Sequence, residues 1–181
     1  MDELKELGLS SSVLDKYAKS KFFKDIMKKG RDFEEVITRV LSTIDPPFKT
    51  LIENGYKKLS QIQLKGMNKS KSIVADDLLV KEQVDNLTGL SYFRGVLNDS
   101  KLTNNSPWTD NQLDELVNVF KNDKNISYIE FEVRTSDDLL SIQGAPANFI
   151  QSSRIRIYRE DVFKTISNNK GQFGETLKLF G

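Results

Sequence analysis

Between Ser60 and Leu102 the chain carries three strand-forming segments in succession, and an amphipathic helix follows them. Ser60–Leu64 alternates polar and apolar residues. Ser72-Ile73-Val74-Ala75-Asp76-Asp77-Leu78-Leu79-Val80 is an apolar run interrupted by two carboxylates, and Leu90–Leu102 is built around Tyr92-Phe93 and Val96-Leu97. Polar, glycine-containing stretches at Lys65–Lys71 and Lys81–Gly89 separate them, the first as a hairpin turn. Three such strands can meander antiparallel. Thr109–Phe120 then places Leu113, Leu116, Val117 and Phe120 on one helical face. Ser127–Thr135 alternates Tyr128, Glu130 and Glu132 with Ile129, Phe131 and Val133, which reads as a fourth strand. A helix between the third and fourth strands is the crossover that a parallel pair requires. Arg154–Arg159 reads as a fifth strand and Glu160–Asn168 as a last helix. The expected fold is α/β: a mixed central sheet of about five strands, flanked by helices on both faces.

Ahead of the strands, a helix is expected over Val13–Lys29, capped by Ser10, Ser11 or Ser12 and ended by Gly30. A second is expected over Asp32–Ile44, where Phe33, Val36, Ile37, Val40, Leu41 and Ile44 follow helical spacing, and Asp45-Pro46-Pro47 stops it. Phe48–Gly55 is a further helix or turn. The 181 residues suit one domain, divided into a helical lead-in (1–30), a core (31–135) and a C-terminal strand and helix (136–181). No stretch approaches the ~20 apolar residues of a membrane helix, so no membrane partner is expected, and Met1–Lys5 lacks the form of a secretory signal peptide.

The chain has no Cys and no His. Thiol chemistry, Cys-based metal sites and His-dependent triads are excluded, which leaves carboxylates, Lys, Arg, Tyr or a hard metal ion for any hydrolytic chemistry. Asp99 and Lys101, two apart on the third strand, project from the same face. Asp76 and Asp77 lie on the strand before it, where an unpaired carboxylate in an apolar run is costly. Strand alternation lets one of the two face a site; Asp77 is preferred because it directly precedes Leu78-Leu79-Val80, and Asp76 is the alternative. Carboxylates on neighbouring strands can share Mg²⁺, and a Lys beside it can orient or deprotonate a water and stabilise charge on a phosphate. On the second helix, Glu34 sits beside Leu41 at the margin of the apolar face while Glu35 points nearly opposite, so Glu34 is the one able to reach over a sheet. Thr109-x-x-Gln112 is, taken alone, a capping box.

Glu34 in a helix, an Asp on the second strand, Asp99-Ser100-Lys101 on the third and Gln112 opening the next helix resemble the PD-(D/E)XK, restriction-endonuclease-like nuclease superfamily over roughly Gly30–Val133. Gly30-Arg31-Asp32-Phe33-Glu34, Ala75–Val80, Asn98–Leu102 and Thr109–Gln112 further resemble the C-terminal nuclease domains of bacterial polymorphic toxins. Ala75 stands where the family name has Pro. The resemblance implies a Mg²⁺- or Mn²⁺-dependent endonuclease that hydrolyses phosphodiester bonds, with DNA expected ahead of RNA. It implies Glu34, Asp77 (or Asp76) and Asp99 as metal ligands, with Lys101 and Gln112 completing the catalytic set. In that role Gln112 holds water or phosphate near the metal, and one side-chain conformation is not expected to serve both this and the cap. The toxin resemblance further implies a secreted or injected effector domain that acts in the target-cell cytoplasm and is neutralised by a cognate immunity protein.

Net charge is +1, from 27 basic and 26 acidic residues, which predicts no general polyanion binder. The basic residues nevertheless cluster. Lys16–Arg31 includes Lys21, Lys24 and Lys28 against the single acid Asp25, and Arg154, Arg156 and Arg159 crowd the fifth strand. A charge run is ordinarily a solvated helix face; in a nuclease both clusters are candidate phosphate contacts. Trp108, the only Trp, either packs in the core or stacks on a base. Two other readings compete. Tyr92-Phe93-Arg94-Gly95 with Glu130-Phe131-Glu132 resembles the Arg and E-x-E motifs of ADP-ribosyltransferases, at a spacing shorter than usual there. A nucleic-acid-binding module of the nuclease fold without catalysis is the non-enzymatic alternative.

Overall fold

Phe33, Ile37 and Leu41 recur at helical spacing, and they are buried on one face of a single helix, α1, that spans Ser11–Val40. The structure, a computed structural model, describes residues 11–67 and 71–180, with side chains described from residue 21 onward apart from 22 and 23. The Ser10 cap candidate and the centre of the Lys65–Lys71 turn lie outside the described residues, as do the side chains of Ser11 and Ser12. Two helices divided at Gly30 are not found. Gly30 sits inside α1 without a left-handed φ, and a Cβ there would meet nothing within 4 Å. An interior Gly costs about 0.5–1 kcal/mol relative to Ala. Burying each of Phe33, Ile37 and Leu41 contributes about 1.5–3 kcal/mol, so the packed face decides.

A 3₁₀ turn, Leu41–Thr43, leads to the short helix α2, Phe48–Glu53. Then come strands β1 (Lys57–Gly66), β2 (Ser72–Val84) and β3 (Ser91–Lys101). Helix α3 runs through Asp110–Gln112, a π-helical turn Leu113–Val117 and Asn118–Asn122. Strand β4 (Tyr128–Val133), helix α4 (Asp137–Ile142), β5 (Arg154–Ser167) and β6 (Phe173–Lys178) complete the described chain. No helix among the described residues is long and apolar enough to cross a membrane.

The architecture is α+β with a mixed six-stranded sheet. The expected meander is present: β1 pairs antiparallel with β2, and β2 with β3. The helix after β3 does not lead to a parallel neighbour, however. β4 is antiparallel to both β1 and β5, and β3 finds its parallel partner in β5. These pairings close β1, β2, β3, β5 and β4 into a ring, and β6 joins the second half of β5. Gly95 leaves room for side chains of β5, since a Cβ there would lie 2.6 Å from Ile155 Cδ1 and 2.7 Å from Ile157 Cδ1. Nor does Glu160–Asn168 form the expected helix. It continues β5, with Val162, Thr165 and Ile166 buried. β-branched residues suit a strand flanked on both sides, and β3 and β6 supply the two flanks. Helices cover both faces: Leu116 and Phe120 of α3 and Leu140 of α4 pack in one apolar cluster with Leu78 and Leu97, and α1 and α2 pack in another with Leu79 and Val96.

Gly30→Ala should stabilise the protein by about 0.5–1 kcal/mol, raising the thermal midpoint by roughly 1–4 °C for a chain of this size. A lowered midpoint on thermal denaturation would mean that the helix ends at Gly30 after all.

Candidate active site

Beyond the pair Asp77–Asn98, β2 and β3 stop exchanging hydrogen bonds, and the first residues of β2 and the last of β3 part. Buried backbone groups released in this way need other partners, and side chains supply them. Asp76 Oδ2 accepts the Ser100 N–H at 2.9 Å. Asn111 Nδ2, in the first turn of α3, donates to the Ser72 carbonyl at 2.8 Å. Gln112, one residue on, donates from Nε2 to Asp99 Oδ1 at 3.0 Å. The first turn of α3 therefore spans the two parted strands.

The space between them is a cleft of about 510 Å³ whose wall includes Glu34, Asp76, Asp99, Lys101, Thr109 and Gln112. Of the residues expected there, Asp77 is the exception. Its oxygens accept from Thr38 Oγ1 at 2.7 Å and Asn98 Nδ2 at 3.1 Å, it is fully buried, and it does not line the cleft. Asp76, the alternative, does. As expected, one of the two faces the cleft, but regular alternation is broken here on both strands. Leu59 and then Ile62 face the core on β1, and Ala75 and then Leu78 on β2, which leaves Ser60-Gln61 and Asp76-Asp77 as consecutive residues off that face. Gln61 accommodates the break with a left-handed φ of 53°.

Gln112 combines the expected capping box with a hydrogen bond to Asp99 in a single side-chain conformation. Its Oε1 accepts the Thr109 N–H at 3.0 Å, Thr109 Oγ1 accepts the Gln112 N–H at 3.2 Å, and Nε2 remains free for Asp99. The two ends of the amide divide the work.

Asp99 Oδ2 is buried with no hydrogen-bond partner among the described residues, and Lys101 Nζ stands 3.1 Å away as an ion contact off the hydrogen-bonding direction. Burial, then the charges of Asp99 and Glu34, push the Asp76 carboxyl up to about 9. Glu34 is also raised, by burial first and Asp99 second. Burial raises Asp77 against its Thr38 and Asn98 hydrogen bonds.

A residue the sequence reading missed stands behind the cleft. Lys164 is buried on β5, in register with Asp99. Its Nζ donates to the Asn104 carbonyl at 3.1 Å and lies 5.4 Å from the Trp108 ring centroid, with Lys101 Nζ at 5.3 Å from the same ring. Burial lowers the Lys164 pKa. Trp108 is thus half-buried against two ammonium groups. The run Val162–Ile166, read as strand instead of helix, was the one signal that could have placed Lys164 beside Asp99.

Other candidates lie elsewhere. Lys21, Lys24 and Lys28 are exposed on α1. Arg154 pairs with Glu130 at 3.5 Å, and Arg156 pairs with Asp85 at 3.7 Å while lying 4.2 Å from the Tyr92 ring and 4.8 Å from that of Tyr128. Arg159 donates to the Phe120, Asp123 and Ile126 carbonyls at the end of α3. The β5 arginines thus each have protein partners, and they do not line the carboxylate cleft. Arg94, Glu130 and Glu132, the residues of the ADP-ribosyltransferase resemblance, are likewise in ion pairs outside the cleft.

Among the described residues no group of three or more carboxylates is gathered tightly enough to hold one metal ion. Neither Glu34, Asp77 and Asp99 nor Glu34, Asp76 and Asp99 form such a group, and Asp77 is occupied by Thr38 and Asn98. Asp76 and Asp99 do fit a hard divalent cation. Such an ion is commonly held by one or two carboxylates, with water and substrate phosphate completing its shell. Burial and the charges of Asp99 and Glu34 raise Asp76, and Lys101 is the cation beside Asp99 Oδ2. No protein-family model, curated protein or solved structure matches the chain.

Asp76 makes a signed pH prediction. Its folded pKa of about 9 lies above the ordinary value of 3.8, so between those limits the folded state binds the extra proton. Its contribution to stability is full below pH ~4 and is lost as pH rises toward 9, at up to ~1.4 kcal/mol per pH unit. In the metal-free protein, Asp76→Asn should flatten the fall of the thermal midpoint between pH 5 and 8. An unchanged slope would place the Asp76 charge in a better solvated environment than the cleft described above.

Proposed function

We propose that the protein is a metal-dependent nuclease that hydrolyses phosphodiester bonds, built on a restriction-endonuclease-like core. The observation that carries this reading is the convergence of Asp76, Asp99, Lys101 and Gln112 on one cleft at the parting of β2 and β3. The order of elements around it supports the same reading: a Glu-bearing helix, three antiparallel strands, and a helix whose first turn reaches back to the last of them.

Asp76 and Asp99 are the groups that would hold the cation, Mg²⁺ or Mn²⁺. When bound, such an ion neutralises charge on phosphoryl oxygens and makes a coordinated water more acidic. Asp99 is kept in place by Gln112, which the capping box in turn immobilises, so the carboxylate needs little reorganisation. Lys101 brings a fixed positive charge next to Asp99, suited to orienting a water and to stabilising charge that develops on the phosphate. Glu34, whose raised pKa strengthens its hold on a proton, faces the same cleft and is suited to accept the proton released by the attacking water. Asp77 supports this set from behind by bonding α1 to β3 through Thr38 and Asn98.

The resemblance to toxin domains extends the proposal to an effector neutralised by an immunity protein, for which loss of growth on expression, relieved by Asp99→Ala, is the corresponding assay.

Incubation with plasmid DNA, total RNA and tRNA, with Mg²⁺ or with EDTA, tests the activity. Cleavage is expected with the cation alone, and full activity in excess EDTA would overturn the metal mechanism. Asp99→Ala, Lys101→Ala and Asp76→Asn should each lower turnover by ~100-fold or more, about 2.7 kcal/mol of transition-state stabilisation, with the fold retained. Asp77→Asn should instead lower the thermal midpoint and retain cleavage. The reverse result for Asp76 and Asp77 would return the ligand role to Asp77.

A further inference from the structure

Because α1 runs unbroken through Gly30, residues on either side of it share one helical phase. At 100° per residue, Lys21, Lys24, Lys28, Arg31 and Arg39 fall within a sector of about 80°, spread over about 27 Å of axis. Glu35 is the one acid inside the sector, and Asp25 and Asp32 lie beside its edge. All five cations are exposed, and among the described residues none is in an ion pair. Had α1 ended at Gly30, Arg31 and Arg39 would have had no fixed relation to the lysines.

The stripe leads to the carboxylate cleft. A second cleft, also of about 510 Å³, is walled by Arg31, Glu35, Thr38 and Arg39 of α1 and by Ser60 and Gln61 of β1. It shares Glu34 and Gln61 with the first. The left-handed φ of Gln61 accompanies the break in alternation that turns Ser60 and Gln61 toward α1, so the same irregularity that exposes Asp76 to the first cleft also builds the wall of the second. The backbone positions of Arg31 and Arg39 are about 12 Å apart along the helix axis, on either side of Glu34. Guanidinium forks match phosphate oxygens bidentately, and hydroxyl and amide groups such as those of Ser60 and Gln61 commonly bond phosphate and sugar.

We propose that this second cleft is a subsite for the sugar-phosphate backbone flanking the scissile bond, with Arg31 and Arg39 each contacting a phosphate, and that the lysine stripe continues the same track. The substrate strand then lies along α1, and its path does not cross the arginines of β5. The proposal rests on the nuclease reading and adds to it where the strand lies.

The test separates the two. Binding of a fluorescein-labelled oligonucleotide, in single-stranded and duplex forms, is measured by anisotropy in EDTA over a series of salt concentrations, so that no cleavage is needed. Arg31→Gln/Arg39→Gln should weaken binding and make the slope of log K against log [salt] shallower by about 1.8 on duplex or about 1.4 on single strands. Arg154→Gln/Arg156→Gln removes the same charge elsewhere and should leave the slope as it is. Arg31→Lys/Arg39→Lys should keep the slope but bind more weakly than wild type, because the charge remains and the fork is lost. With Mg²⁺ present, the loss in the Arg31/Arg39 glutamine variant should fall mainly on KM. Wild-type binding with a slope that the Arg31/Arg39 variant does not change would overturn the subsite and leave the nuclease reading standing. Salt-dependent binding through Arg31 and Arg39 without cleavage in Mg²⁺ or Mn²⁺ would overturn the nuclease reading and keep the backbone subsite. Absence of any binding would overturn both.

Discussion

Everything at the candidate site follows from the parting of β2 and β3 past the Asp77–Asn98 pair. Two strands that separate within a buried sheet leave main-chain donors and acceptors that water cannot reach freely, and each left unpaired costs about 1–3 kcal/mol. Asp76 takes the Ser100 N–H, Asn111 takes to the Ser72 carbonyl, and Gln112 holds Asp99. Satisfying the backbone in this way brings two carboxylates together with Lys101. Burial first, and then the neighbouring charges of Asp99 and Glu34, raise the Asp76 carboxyl, and both effects oppose a second negative charge beside Asp99.

A buried polar chain behind the cleft sets the position of α1. Thr38 donates to Asp77, Asn98 donates to Asp77 and accepts from Thr165 at 2.8 Å, and Thr165 lies 3.2 Å from Thr176. Lys58 Nζ donates to the Thr38 carbonyl from β1. This chain ties α1 to β1, β2, β3, β5 and β6. Apolar packing of Phe33, Ile37 and Leu41 attaches the helix, but many small shifts would pack nearly as well. Polar groups that must be paired tolerate far fewer arrangements, so the chain fixes where along the sheet Glu34, Arg31 and Arg39 stand. The fully buried carboxylate of Asp77, one residue from the cleft, finds its partners within this chain.

Much of the meander was legible because strands with one apolar face carry their period in the sequence. β1, β2 and β3 were expected within a few residues of their ends, and the pairing of Asp99 with Lys101 followed from alternation alone. The capping box of Thr109 and Gln112 was legible because both partners lie within one turn. The errors share a cause. Gly30 was read as a terminator and Glu160–Asn168 as a helix because local propensity was the one guide available. Propensity differences of about 1 kcal/mol yield to tertiary burial of several large side chains. That Asp76 and not Asp77 lines the cleft was not legible, because the break in alternation involves two strands at once and neither strand shows it alone.

The sequence by itself determined which chemistry is open to the chain and which local pieces it builds. Without His or Cys, the reactive groups are carboxylates and cations, and the residue types at Glu34, Asp76, Asp99, Lys101 and Gln112 are set by composition and spacing. Tertiary structure alone decided which of these meet. The parallel pairing of β3 with β5 puts Lys164 beside Asp99 across more than sixty residues of chain. The closure of the ring through β4, and the single phase of α1, likewise depend on contacts between distant segments. Such contacts are chosen by the joint burial of faces and the joint pairing of backbone groups, quantities that belong to the assembled sheet and have no counterpart in any one segment.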